Sequence, residues 1–327
     1  MAYKKVKLNH ISRKALEVGH VYKYPVFYRE KDNIYKVLIE KNSGFIQETQ
    51  DKIDTLQLKD LYVLTQDHPL YEKDTQEYIS KIIDDDKVSS KVKSEIIHDM
   101  AADTINELFS GEVSKSKIDR AADLVNDTIQ LILNDNSAAK AMLEVTSYDY
   151  YTYTHCVNVS IYALGFGAYL KLDKNKLNIL GRAGILHDLG KKNIPNDIVN
   201  KNGRLTDAEF VTMKNHPSYA VDILKEFGET DQLILDAIEQ HHEKLDGSGY
   251  PKGLKADEIH ILSQIIAIAD IFDALTTKRS YKDALTSYEA LSIMKNEMSD
   301  ELNTHLLSEF MLFMCDKGDK IDKYKEQ

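Results

Sequence analysis

Cysteine is nearly missing from this chain, with Cys156 and Cys315 the only two in 327 residues. Two are too few for a disulfide framework or a thiolate zinc site, so any metal must be held by histidine and carboxylates. Long apolar runs are missing as well. Even IYALGFGAYL at 161–170 is too short to span a bilayer, and the opening MAYKKVKLNH lacks the apolar stretch of a secretory signal. These absences predict a soluble, cytoplasmic protein that does not enter the membrane. Positive charge is short too: 42 Lys and Arg against 53 Asp and Glu leave a formal charge of -11. That argues against a nucleic-acid polymer or an anionic membrane as partner, while a local cationic pocket could still capture a phosphate. No internal repeat and no low-complexity linker is found.

What is present points to more than one domain, because the length exceeds that of a usual compact domain and 43% hydrophobic content supplies a core. From Val21 to about Thr65, short runs rich in Tyr, Val, Ile and Phe (VYKYPVFY, IYKVLI, LYVL) alternate with Asp-Asn and Asn-Ser-Gly turns. The expectation is a small α+β domain at 1–75 that docks, dimerises or receives a signalling partner. After Asp67 the period changes. Val92, Ile96, Ile97, Met100, Leu108 and Phe109 form one helical stripe, and Ile118, Ala121, Val125, Ile129 and Ile132 a second. They predict a helical linker region at 76–145 whose apolar faces serve as core or as a homodimer seam. From 146 to 327 nearly everything reads as helix, so the fold class is mainly α. The interruptions are LGKKNIP at 189–195, NHP at 215–217 and DGSGYP at 246–251, which hold three of the five prolines.

Histidines and aspartates gather at those interruptions. His187 and Asp188 follow the apolar turn GRAGIL, where Ala183, Ile185 and Leu186 imply burial, and buried polar groups need partners. His216 opens a helix before Pro217. His241 and His242 end LILDAIEQ, and adjacent rings reach one centre only near a helix end or by flanking it. Asp270 and Asp273 share a face of the apolar helix IIAIADIFDAL. Singly, each is most simply a satisfied core polar group. Together His155, His187, Asp188, His216, His241, His242 and Asp270 are too many ligands for one tetrahedral ion and suit two ions sharing a carboxylate. Lys191, Arg279 and Lys282 follow ligand-bearing segments and suggest an anion site, although each alone also fits a solvated helix end. Two divalent ions would outweigh the carboxylates and attract a phosphodiester, and a bridging hydroxide formed near neutral pH would attack phosphorus in line, with Lys191 stabilising the charge.

The ordered series YTYTH (151–155), LHDLGK (186–191), IP with LTDAEF (194–210), KNHP (214–217), HHEKLDGSGYP (241–251) and IAIADIFDALTTKRSYK (266–282) resembles the HD-GYP phosphodiesterases. These are a branch of the HD-domain metal-dependent phosphohydrolases, and the resemblance covers about Tyr148 to Lys317. It implies an all-helical catalytic domain at 146–327 with two divalent metals, iron or manganese rather than zinc. His155, His187, Asp188 and Asp270 would hold one ion and His216, His241 and His242 the other, with Asp188 bridging. The implied substrate is cyclic di-GMP, a bacterial second messenger, opened to the linear dinucleotide pGpG, which many family members cut further to GMP. Alternatives are another cyclic dinucleotide such as cyclic GMP-AMP, or a non-catalytic nucleotide-binding adaptor. Lys191, Arg279 and Lys282 match phosphate contacts, and Asp273 matches a carboxylate that supports a ligand or handles a proton.

The sequence departs from the family pattern in four places. Tyr151 stands where some members carry a Glu associated with a third metal, Ala220 where Gly is common, and Leu245 where an aromatic precedes the GYP loop. The usual Phe-Asp-Pro near the end is replaced within NEMSDELNTHLLSEF. In the loop itself, Glu243 and Asp246 are expected to orient the turn, Gly247 and Gly249 to permit it, and Tyr250 to point into the fold.

Overall fold

The computed structural model describes residues 7–31, 34–58, 60–135, 137–146, 152–278 and 284–316. Its strands are β1 (Leu8–Ile11), β2 (Val21–Tyr22), β3 (Val26–Lys31), β4 (Ile34–Ile39), β5 (Ser43–Gly44) and β6 (Leu61–Leu64). Helices α1 (Gln47–Thr55), α2 (His68–Ile83), α3 (Ser90–Ser110), α4 (Lys115–Asn134), α5 (Ala138–Glu144), α6 (Thr152–Tyr169) and α7 (Lys174–Leu186) follow in chain order. Then come α8 (Asn196–Val199), α9 (Asp207–Met213), α10 (His216–Glu226), α11 (Gln232–Glu239), α12 (Ile261–Thr276), α13 (Ser287–Glu297) and α14 (Thr304–Asp316). A 3-10 turn at Leu189–Asn193 separates α7 from α8. The protein is mainly α, a small α+β region followed by a helical domain, and it divides into compact units at 1–103 and 104–327. No helix among the described residues is long and apolar enough to cross a membrane.

In the first unit an antiparallel sheet runs in the order β1-β6-β3-β4, with β2 and β5 paired separately. The run VYKYPVFY splits into β2 and β3 around Pro25, which has no N–H to give a ladder. Strand β1 lies upstream of the region expected to carry strands. Tyr22, Tyr24, Phe45, Ile53 and Tyr71 fill the core, and the Tyr71 hydroxyl accepts from the Ser12 N–H at 3.2 Å.

The stretch 76–145, expected as one helical linker, is shared between the units, since α2 and most of α3 belong to the first and α4 and α5 to the second. Most of its two stripes is buried within the chain: Ile96, Ile97, Met100, Leu108, Ile118, Ala121, Val125, Ile129 and Ile132 are covered, while Val92 stays 43% exposed.

In the second unit, α6 and α7 pack against each other and against α12. Glycines let them approach: a Cβ on Gly184 would lie 2.7 Å from the Ser160 Cα, and one on Gly181 would lie 2.4 Å from Val125 of α4. Phe166, Phe272 and Phe310 tie α6, α12 and α14 together, with ring centres 5.1 Å apart for Phe166 and Phe310 and 5.3 Å for Phe272 and Phe310. Burying each such ring contributes about 1.5–3 kcal/mol. The chain breaks fall where the sequence places them: at the 3-10 turn, between α9 and α10, and in the loop after α11.

Candidate metal centre

Five histidines and two aspartates from separate segments converge in the second unit. His155 lies in α6 and His187 follows the last residue of α7, so the close α6–α7 crossing sets their rings 5.2 Å apart. Asp188 leads into the 3-10 turn. His216 opens α10, where Pro217 costs no hydrogen bond because first-turn N–H groups have no helical partner. His241 and His242 lie in the turn just past α11, and Asp270 sits in the middle of α12. All are buried apart from His242, whose side chain is 25% exposed.

The second ring nitrogen of each histidine explains its aim. The Nδ1 of His187 donates to the Gly184 carbonyl at 2.7 Å, that of His216 to Met213 at 2.8 Å and that of His241 to Ile238 at 2.5 Å. A carbonyl only accepts, so Nδ1 carries the proton and Nε2 is left with its lone pair facing the cluster. In His155 the same task falls to Asp273, 2.7 Å from Nδ1. That carboxylate is fully buried and also accepts from Asn158 at 2.9 Å and Thr277 at 3.2 Å. His242 is turned the other way, with Nδ1 3.7 Å from Asp270.

Asp188 stands between two sets of rings. Its Oδ2 lies 3.5 Å from His187 Nε2 and 3.8 Å from His155 Nε2, while Oδ1 lies 3.3 Å from His216 Nε2. The Lys191 ammonium is 2.5 Å from Oδ2. Asp270 likewise divides its oxygens, Oδ1 being 3.0 Å from His155 and Oδ2 facing His242. His216, His241 and His242 could together hold one ion, as could His155, His187 and Asp188. A third grouping, His187, His241 and Asp270, links the two.

Burial pushes the His216 ring down to about 3 and His241 to about 4, and lowers His187 and His242 as well. Burial alone would raise the Asp188 carboxyl, but above all the Lys191 ammonium beside it holds it well below the usual carboxylate range. At neutral pH these four imidazoles are thus neutral and Asp188 and Asp270 ionised, the ligating forms of both. His187 Nε2 is buried with no hydrogen-bond partner, a cost of about 1–3 kcal/mol that a cation would remove. The residues fit a divalent-metal centre.

The GYP loop closes one side. A Cβ on Gly249 would lie 2.6 Å from the His242 carbonyl oxygen, and Gly247 takes φ +83, so each glycine answers a different requirement. The buried Glu243 carboxylate accepts from the N–H groups of Lys252 at 2.7 Å and Leu254 at 2.9 Å, while Asp246 accepts from Ser248. The Tyr250–Pro251 peptide is cis. Tyr250 does not turn into the fold as expected. It is half-buried, with its ring 4.7 Å from that of His242.

Arg279, Lys282 and Tyr151 lie outside the described residues. Asn158 and Thr277 were not expected, though each carries a spacing signal: Asn158 is three residues after His155, and Thr277 four after Asp273. Ala220 is fully buried in α10, and the close approach at that point is made by Gly190 of the 3-10 turn.

The chain is 35% identical over 174 residues to a cyclic di-GMP phosphodiesterase of Pseudomonas aeruginosa, a match covering 53% of this chain and 42% of that protein. It is 38% identical over 148 residues to 3'3'-cGAMP-specific phosphodiesterase 3 of Vibrio cholerae, covering 45% of this chain and 32% of the relative. The matches thus span less than half the length of these curated relatives. In fold it is similar to Bd1817, an HDG"Y"P protein from Bdellovibrio bacteriovorus, with a TM-score of 0.71 and 18% identity over 94% of this chain and 100% of the other. The sequence model for the HD domain matches residues 119–304. Because that match runs through every segment feeding the histidine and aspartate cluster, the chain belongs to the HD domain family.

Proposed function

We propose that this protein is a metal-dependent phosphodiesterase that hydrolyses cyclic di-GMP to pGpG. Asp188 carries the reading: its two oxygens face different histidines while an ammonium lies against it. Such a carboxylate suits two cations beside an anion site. His155, His187, Asp188 and Asp270 would hold one ion and His216, His241 and His242 the other, with Asp188 shared. Two ions, iron or manganese, would supply Lewis acidity and lower the pKa of water enough for attack on phosphorus near neutral pH.

The chain's own residues hold and orient. Backbone carbonyls and Asp273 fix the ring tautomers before substrate arrives, so little reorganisation is left to the reaction. Lys191, mostly buried, offsets negative charge on the phosphoryl oxygens more strongly than it could in bulk water. Arg279 and Lys282 are assigned further phosphate contacts from the sequence. Asp273, closed in by three donors, is a positioning residue, and the leaving-group proton is assigned to solvent.

The Pseudomonas aeruginosa relative supports cyclic di-GMP as substrate, and the Vibrio cholerae relative makes cyclic GMP-AMP the second reading. The test gives anaerobically metal-loaded protein cyclic di-GMP, cyclic GMP-AMP and cyclic di-AMP and compares kcat/KM. Cyclic di-GMP is expected to lead, with Asp188→Ala losing at least about a hundredfold. Loaded protein that leaves all three uncut overturns the proposal.

A further inference from the structure

Phe210, Lys214 and Tyr250 lie beside the metal centre without being part of it. Phe210, on α9, leaves 44% of its surface exposed. Its ring meets Tyr250 edge to face at 6.2 Å and 81°, and Tyr250 leads back to His242. The Lys214 ammonium stands 4.8 Å from the centre of the Phe210 ring and 5.6 Å from that of Tyr250. It has no carboxylate partner among the described residues, and Glu209 on the same helix is committed to Thr206 and Lys201.

A lone exposed phenylalanine needs no explanation. A partly exposed aromatic ring, a second ring reaching back to the histidine cluster and an ammonium that lies over both rings without a carboxylate partner together suit a planar heterocycle. Resting on the phosphodiesterase reading above, we propose that Phe210 and Lys214 form the base-binding shelf of the site and favour guanine. The base stacks on Phe210 while Lys214 donates to O6 and N7 of guanine; adenine instead turns an amino donor toward the ammonium. Stacking supplies affinity for any base, and Lys214 supplies the choice.

The experiment compares cyclic di-GMP with bis(p-nitrophenyl) phosphate, a diester that carries no base. In Phe210→Ala the ratio of kcat/KM for the two substrates is expected to shift against cyclic di-GMP by about tenfold, through KM, and Phe210→Trp should restore it. Lys214→Met should lower the preference for cyclic di-GMP over cyclic di-AMP by about fivefold or more. Unchanged ratios in both variants overturn the shelf, as does a parallel loss on both diesters. The chain has no tryptophan, so Phe210→Trp also places a single emitter on the shelf. GMP should quench it and ribose 5-phosphate should not; absence of quenching by GMP counts against the shelf. If the unmodified protein cuts neither diester, the phosphodiesterase reading falls and the GMP titration alone decides the shelf.

Discussion

Asp273 accepts from His155, Asn158 and Thr277 at once and has no exposed surface. An asparagine has nearly the same shape but turns an amino group toward one of those donors. Asp273→Asn is therefore expected to loosen the His155 ring and weaken metal affinity by about 10–100-fold, measured by chelator competition. Unchanged affinity would show that the ring is held by packing alone. The family resemblance assigns Asp273 a supporting or proton-handling role, but spacing alone does not. Asp270 and Asp273 share a helix face in the sequence, and nothing in their spacing says which faces the cluster and which stands behind a ring. The three carbonyl acceptors were hidden for a similar reason, since every residue has a carbonyl and only the turn geometry selects one.

At the scale of elements, the 3-10 turn and α10 are locked by contact between backbones. A Cβ at Gly190 would sit 1.9 Å from the His216 carbonyl oxygen and 2.4 Å from the Ala220 nitrogen. Gly190→Ala must push the turn away from α10, separating Asp188 from His216, and should cost about 2–3 kcal/mol. Thermal unfolding should fall by roughly 4–10 °C together with lost metal uptake, and a variant that keeps both would show the turn to be compliant. The helical half of the fold was legible because its breaks coincide with polar ligands and proline. The first unit was less so. Its strands show in composition, but β1 pairs with β6 across more than fifty residues, and local patterning carries no information about such a partner.

Over the whole molecule, the proposed function asks a chain of charge -11 to receive an anionic substrate. Its long-range field repels what the site attracts at contact. Raising ionic strength from about 0.01 to about 0.15 M shortens the screening length from about 30 Å to about 8 Å, which weakens the distant repulsion before the contact attraction. The kcat/KM for cyclic di-GMP is thus expected not to fall over that range, and a drop of several-fold would point to a wider basic surface around the site. The carbonyls behind His187, His216 and His241 also bear on how such a site assembles. Each lies three residues back in the same segment. A segment that has formed its own turn has already chosen the tautomer of its ring, whatever the others have done. For these three rings the centre is thus modular: they can be aimed in any order before docking, whereas His155 must wait for Asp273 of α12.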